Sequence, residues 1–414
     1  MRRVCVVGGG VAGAAAAVAA AKGGAKVALF ENSAFLPPPR SEWPALIDRP
    51  ASSGETMRSA LQGEGIEPHF CEQVSQVSGS LMVASAGGRR GFDSVVVSTG
   101  TGPVPATLPG NGKEGVHVLV GPECYGVLRE ACPGYLRAVL VGSGFTALGV
   151  AQKLLQKGIR VTAIAPRGIL TSRLGPRLQE LVLGAARQQE LAVENRQIQK
   201  VVGVDRVEAA IVGGDVLPCD CIIVVPDRAP SLPSVPAETG RSGGVLVDSR
   251  MRTSISGLYG AGECIELPAG GLSAPPVTEP AARASGRVAG MNAAGGRILL
   301  EPVGVFTGRV FGLALATAGL GLEDARAAGY SAVEVSSGPD DGRSCSIVFE
   351  AGSSRILGIQ YAGPDGPPAP ELFALAVREG VRLEDFANLE HTGSNNISPV
   401  LEAASEGMRL WRRS

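Results

Sequence analysis

At 414 residues the chain is too long for one hydrophobic core and suits two or three domains. Its 38 basic and 39 acidic residues leave a net charge of −1, which excludes the strongly basic footprint of a nucleic-acid partner. Hydrophobic residues make up 44% of the sequence, yet no uninterrupted apolar span is long enough to cross a bilayer, so the expectation is a soluble globular protein without a membrane span.

The first thirty residues carry the most specific pattern. Val4-Cys5-Val6-Val7 is an apolar run of buried-strand type. It leads into Gly8-Gly9-Gly10-Val11-Ala12-Gly13, and the Ala-rich run that follows reads as a helix. Val27 to Phe30 reads as a second strand, and Glu31 closes it, 23 positions after Gly8. Gly-x-Gly-x-x-Gly between strand and helix, with an acid at that distance, is a dinucleotide-binding fingerprint. Gly8 permits the tight turn, Gly10 lets the backbone approach a pyrophosphate, and Gly13 lets the helix pack close to the sheet. The helix N-terminus offers N–H groups and a positive dipole end to phosphates, and Glu31 can accept a hydrogen bond from a ribose 2′-OH. Arg2-Arg3 ahead of an apolar stretch imitates a secretory signal, but three consecutive glycines break the apolar helix such a signal needs.

Beyond Glu31, the proline-rich stretch from Asn32 to Pro44 reads as a long loop, because its prolines exclude helix and sheet interior. Residues 51–62 read as a helix and Ile66 to Val77 as short strand pieces. Ser94 to Ser98 is a buried strand running into the small-residue turn Thr99-Gly100. The chain then repeats its opening. Val139-Leu140-Val141-Gly142-Ser143-Gly144-Phe145-Thr146-Ala147 copies the first fingerprint, and Ile159 to Ala165 copies the second strand, again with 23 positions from Gly142 to Ala165. Two such units imply two nucleotides held for electron transfer between them. In the second copy Ala147 replaces the third glycine and Ala165 replaces the acid. Arg167, two residues on, would meet a 2′-phosphate, which favours NADPH over NADH. Cys219 to Pro230 and Met251 to Glu263 each run from strand into turn, the second ending Tyr259-Gly260-Ala261-Gly262-Glu263.

Eight scattered cysteines (Cys5, Cys71, Cys124, Cys132, Cys219, Cys221, Cys264 and Cys345) include no Cys-x-x-Cys pair. That speaks for a reducing cytoplasm rather than a disulfide framework. His69, His117 and His391 show no paired ligand spacing, so no metal site is expected.

These motifs together resemble the two-dinucleotide-binding-domain flavoproteins, the pyridine nucleotide–disulfide oxidoreductase superfamily. Ser98-Thr99-Gly100 matches the segments that bridge its two nucleotide domains. Tyr259 to Glu263 matches its Tyr-Ala-x-Gly-Asp segment on the FAD ribityl and pyrophosphate, with Glu263 in place of Asp. Thr307 to Leu320 and Ser354 to Gly363 resemble its dimerisation domain, in the branch of NADH oxidase, NADH peroxidase and coenzyme A–disulfide reductase. The resemblance implies an α/β fold of two Rossmann-like domains, one for FAD and one for NADH or NADPH, plus a C-terminal α+β dimerisation domain. Residues 1–105 and 231–298 would form the FAD domain, 106–230 the NAD(P) domain, and 299–414 the domain that pairs two subunits in a homodimer. It implies Gly8, Gly10, Gly13 and Glu31 on the ADP half of FAD, Val74 at the adenine through its backbone, and Thr99, Gly100, Gly262 and Glu263 on the remainder. Gly142, Gly144, Phe145, Thr146 and Arg167 would hold the NAD(P). A helix opening at Val277-Thr278-Glu279 would aim its N-terminus at the flavin.

The departures bear on the reaction. The branch carries a redox cysteine in the loop after the second strand, and alignment on Ser33 to Pro37 puts Pro38 there. A proline forms no thiolate, sulfenic acid or mixed disulfide. The helix glutamate of the second fingerprint is Gly149, the glycine after that unit's last strand is Asp227, and a C-terminal tyrosine is His391, a candidate proton donor. The leading expectation is an FAD enzyme passing hydride from NAD(P)H to flavin, and electrons on to oxygen, a quinone or a small electron carrier, without a cysteine relay. The alternatives are a coenzyme A disulfide or persulfide reductase with a relocated cysteine, and a non-catalytic FAD-binding protein with a degenerate NAD(P) site.

Overall fold

The computed structural model describes residues 1–34, 40–48, 61, 64–105, 108–171, 174–269, 272–274, 278–337, 342–366, 369–391 and 397–412. The expected helix at 51–62 falls outside them apart from Leu61, and Pro38 and Val277 fall outside them too.

Among the described residues, the opening strand Arg3–Val7 sits at the centre of a five-stranded parallel sheet. The order is Leu258–Gly260, Ser94–Val97, Arg3–Val7, Lys26–Glu31, Glu67–Phe70. Val4 to Val7 and Val27 to Phe30 are buried, as continuous apolar strands are when helices cover both faces. The helix Val11–Lys22 is rich in alanine because a second helix, Glu279–Ala293, lies against it. A Cβ at Gly286 would stand 2.0 Å from the Ala12 carbonyl oxygen, and one at Gly290 2.1 Å from that of Ala16. Two glycines one turn apart thus seat on two alanines one turn apart, and the backbones approach as no larger pair would allow.

A second parallel sheet has the same arrangement about its central strand, read from the opposite edge, except that its last edge strand precedes the others in the chain: Ala192–Glu194, Arg160–Ile164, Arg137–Val141, Cys221–Val224, Val116–Val118. The chain crosses from the first sheet through Thr101–Pro103 and returns through Arg228–Pro230, and these two crossing strands pair antiparallel. A five-stranded antiparallel sheet, Phe306–Val310, Leu313–Gly319, Ile356–Gly363, Ser344–Glu350 and Ala332–Ser336, follows in the C-terminal part. Its first two strands reach back: Val310, Phe311, Leu313 and Leu315 belong to the apolar core of the second sheet. No helix among the described residues is long and apolar enough to cross a membrane.

The proline-rich loop expected up to Pro44 is corrected. Arg40–Ile47 is a 3-10 helix with Pro44 inside it. Eight residues exceed the usual run of such a helix, so tertiary packing holds it. Trp43, Leu46 and Ile47 are buried in the core of the second sheet.

Candidate functional site

A cleft of about 1970 Å³ opens between the glycine turns of the two parallel sheets and is walled by the C-terminal strand Phe306–Val310. At one end is the first fingerprint. Gly8 turns the chain at φ +97, its N–H donates to the Phe30 carbonyl at 2.8 Å, and a Cβ there would strike Ser98. Gly13 lies beneath this turn rather than on the cleft wall, its Cβ direction blocked 1.8 Å from the Gly8 carbonyl. Gly10 differs from both. It lines the cleft as the N-cap of the helix, at φ −62, and a Cβ there would meet nothing within 4 Å. The first helix-type bond runs from Ala14 N–H to the Gly10 carbonyl. The N–H groups ahead of Ala14 therefore lack a helical acceptor and suit an anion.

Glu31 is buried at the cleft wall. Its Oε2 accepts from Gly9 N–H at 2.7 Å, and its Oε1 accepts from Ser33 N–H at 3.0 Å and Ser33 Oγ at 2.5 Å. Three of about four acceptor positions are thus filled, which leaves room for one further donor such as a ribose hydroxyl. Val74, Thr99, Gly100, Gly262 and Glu263 line the same cleft. So does the start of the Glu279–Ala293 helix, capped by Thr278, whose Oγ1 accepts from Ala281 N–H at 3.3 Å. Open space at Gly10, the uncapped N-terminus of the first helix and a buried carboxylate fit a ligand with a diphosphate and a ribose.

At the other end Gly144, Phe145 and Thr146 line the cleft. Gly144 also has open space where a Cβ would go. Gly142, at φ +145, packs against Ala147 and Val225 and is not on the wall. Phe145 meets Phe306 edge-on at 5.3 Å, and its ring fills the space over Gly308.

Two expected site residues are not brought to the cleft. Arg167 is exposed and absent from the wall, because a tight turn, closed by Gly168 N–H to the Ala165 carbonyl at 2.8 Å, leaves it on the surface. Leu170 takes the wall position there. His391 is also exposed and outside the cleft.

None of the eight cysteines lines the cleft. Cys5, Cys132, Cys219, Cys221, Cys264 and Cys345 are buried, and burial pushes each thiol up, that of Cys219 to about 12. Cys264, next to Glu263, donates to the Ala261 carbonyl at 3.3 Å and packs inside the core.

Sequence reasoning missed Trp43, Pro44, Thr101, Lys153 and Arg228, which all line the cleft. Pro44 explains Gly149: its Cγ stands 3.1 Å from where a Cβ on Gly149 would lie. Asp48 fastens the same segment to the Phe145–Gln156 helix and the residue after it, pairing with Lys153 at 2.6 Å and Lys157 at 3.4 Å. Partial burial alone would raise the Asp48 carboxyl; hydrogen bonds and charge from the two lysines outweigh it and hold it below the ordinary carboxylate range. Arg228 lies over the Trp43 ring, 5.4 Å from its centroid. The Arg-x-Pro of the return strand was visible in the sequence, but nothing local tells which groups the guanidinium meets.

The family model described as pyridine nucleotide-disulphide oxidoreductase matches residues 2–286. A mercuric reductase of Acidithiobacillus ferrooxidans is 28% identical over 317 residues, covering 72% of this chain and 54% of that protein. An NAD(P)H sulfur oxidoreductase (CoA-dependent) of Pyrococcus furiosus is 23% identical over 362 residues, covering 82% of each. The solved structure of an NAD-dependent persulfide reductase from A. fulgidus superposes with a TM-score of 0.88 at 23% identity, over 99% of this chain and 84% of that one. The chain spans about half the length of the mercuric reductases it matches. With the two glycine turns facing one cleft and a family model that covers both, the chain belongs to the pyridine nucleotide–disulphide oxidoreductase family.

Proposed function

We propose that this chain is a flavoprotein oxidoreductase that oxidises NADH or NADPH and passes the electrons on without a cysteine relay. The observation that carries the reading is the cleft wall: both glycine turns are on it and none of the eight cysteines is. Bound FAD would supply the chemistry, accepting a hydride from the nicotinamide and handing electrons to a small acceptor such as oxygen, a quinone or an electron carrier.

The protein's part is to bind, orient and shield. Gly8, Gly10 and the helix N-terminus behind them would hold the FAD pyrophosphate, with Gly13 setting the helix close to the sheet. Glu31 would take a ribose hydroxyl, and Val74 would face the adenine. Thr99, Gly100, Gly262 and Glu263 would hold the rest of the cofactor. The Thr278-capped helix would aim its positive dipole end at negative charge on the flavin. Gly144, Phe145 and Thr146, braced by Gly142, would receive the nicotinamide nucleotide, with Phe145 and Phe306 excluding water. Residues 1–105 and 231–298 would serve FAD, 106–230 the nicotinamide nucleotide, and 299–414 the pairing of two subunits.

An anaerobic visible spectrum, recorded before and after NADH and then NADPH, tests the reading. A flavin band that bleaches is the expected result, and the faster nucleotide identifies the donor. A thiol titre that rises on reduction and is lost in a Cys→Ser variant would overturn the cysteine-free route, because it needs a cysteine that exchanges electrons with the flavin. A flavin that neither nucleotide reduces would overturn the NAD(P)H reading altogether.

A further inference from the structure

Three residues that share the cleft wall form one hydrogen-bonded chain. Arg228 donates from Nε to Thr101 Oγ1 at 3.1 Å, from Nη2 to the Thr101 carbonyl, and from Nη1 to the Val120 carbonyl at 3.0 Å. Thr101 Oγ1 donates in turn to Glu263 Oε2 at 2.9 Å. The direction is fixed by chemistry. A guanidinium can only donate and a carboxylate only accept, so the hydroxyl between them accepts from one and gives its single hydrogen to the other. Both ends are charged, which makes these the stronger kind of hydrogen bond.

The three residues come from three separate segments: the outgoing crossing strand Thr101–Pro103, the returning strand Arg228–Pro230, and the short turn Gly262–Cys264. The chain therefore ties both crossings between the nucleotide sheets to the turn that carries Glu263. It also accounts for the length of that side chain. An aspartate at 263 would end about 1.5 Å short, beyond hydrogen-bond distance of Thr101.

We propose that Thr101 and Arg228 are positioning residues for Glu263, holding its carboxylate in the one orientation that receives a polyol hydroxyl of the bound cofactor. The proposal rests on the FAD reading above. Thr101 and Arg228 act through Glu263, and Glu263 is the group that meets the ligand.

The test is a double-mutant cycle on FAD affinity, measured by titrating the apoprotein with FAD and following flavin fluorescence. Thr101→Val should weaken FAD binding about 10- to 100-fold, the value of a hydrogen bond to a charged group. Thr101→Ser, which keeps the hydroxyl, should stay within about threefold of the parent. In a Glu263→Asp background the carboxylate is out of reach, so adding Thr101→Val should change affinity less than about twofold. Equal affinity of Thr101→Val and the parent overturns the proposal. So does an equal loss in both backgrounds, which would place the action of Thr101 elsewhere. A parent protein that binds no FAD instead overturns the cofactor reading. Should Thr101→Val lower the apoprotein's thermal midpoint, Arg228→Lys replaces it, with the same expectation of a loss with Glu263 and none with Asp at that position.

Discussion

Gly10 and Gly13 belong to one fingerprint, yet the structure gives them opposite tasks, and alanine separates these. At Gly10 a Cβ meets nothing within 4 Å, and φ −62 suits any residue. Alanine is a poorer N-cap than glycine by roughly 0.5–1 kcal/mol, while the stiffer unfolded chain returns about 0.4–1 kcal/mol. Gly10→Ala should therefore leave folding stability within about 0.5 kcal/mol of the parent. The same methyl points into the space assigned to the pyrophosphate. Overpacking by a methyl costs about 1–3 kcal/mol, so FAD should bind about 5- to 150-fold more weakly. Gly13→Ala should do the reverse: its Cβ falls 1.8 Å from the Gly8 carbonyl, so the apoprotein itself must distort. Thermal unfolding of the apoproteins and FAD titration of each would be read together. A Gly10→Ala protein that binds FAD within twofold of the parent would refute the placement of the pyrophosphate. A Gly10→Ala protein that loses FAD only because it unfolds would refute the claim that this glycine faces a ligand.

Three further outcomes are expected. Gly290→Val puts a branched side chain against the Ala16 carbonyl, only 2.1 Å from the Cβ position, and should cost about 3 kcal/mol of stability or more; chemical denaturation of the apoprotein reads it. Gly149→Glu restores a helix former but drives into Pro44, so overpacking of about 1–3 kcal/mol should exceed the propensity gain, and the thermal midpoint should fall. The Asp48 carboxyl is depressed by Lys153 and Lys157, so its contribution is present above the ordinary carboxylate range and is lost as pH falls through the depressed value. Tryptophan fluorescence on acidification should report Trp43 loosening in the parent, and Asp48→Asn should be loosened already at neutral pH; because the pair is partly exposed, the change should be small and should shrink with salt.

The central strands of the two parallel sheets were legible because each is a local apolar run, and the two glycine turns because strand, glycines and helix follow one another within a few residues; edge strands such as Glu67–Phe70, Val116–Val118 and Ala192–Glu194 carry no such run. Gly8, Gly10, Gly144, Phe145 and Glu31 all reached the cleft for that reason. What failed was what depends on distant partners. Arg167 follows the second strand in register, but the turn closed at Gly168 leaves it on the surface. Arg228 and Thr101 are 127 positions apart, so no window of sequence joins them. The 3-10 helix at Arg40–Ile47 reads as loop by its prolines, because the packing that folds it comes from Tyr125 and other residues of the second sheet's core. Gly286 and Gly290 were spaced one turn apart in plain view, but the spacing has meaning only once Ala12 and Ala16 lie opposite.

Two departures from the family pattern are matched by their neighbours in space. Pro44 stands where a side chain on Gly149 would have to go, so the glycine at that helix position makes room for the segment after the second strand. The lengthened acid at 263 reaches a threonine in the outgoing crossing strand, and the arginine beside Asp227 supports that threonine from the returning strand. Arg228 also covers Trp43, one residue before Pro44. Here Glu263 meets Thr101, which Arg228 supports, through charge-assisted hydrogen bonds, and Gly149 meets Pro44 by packing, whereas His391 lies exposed outside the cleft. These two contacts favour the cofactor-binding function proposed above over a binding site left to decay.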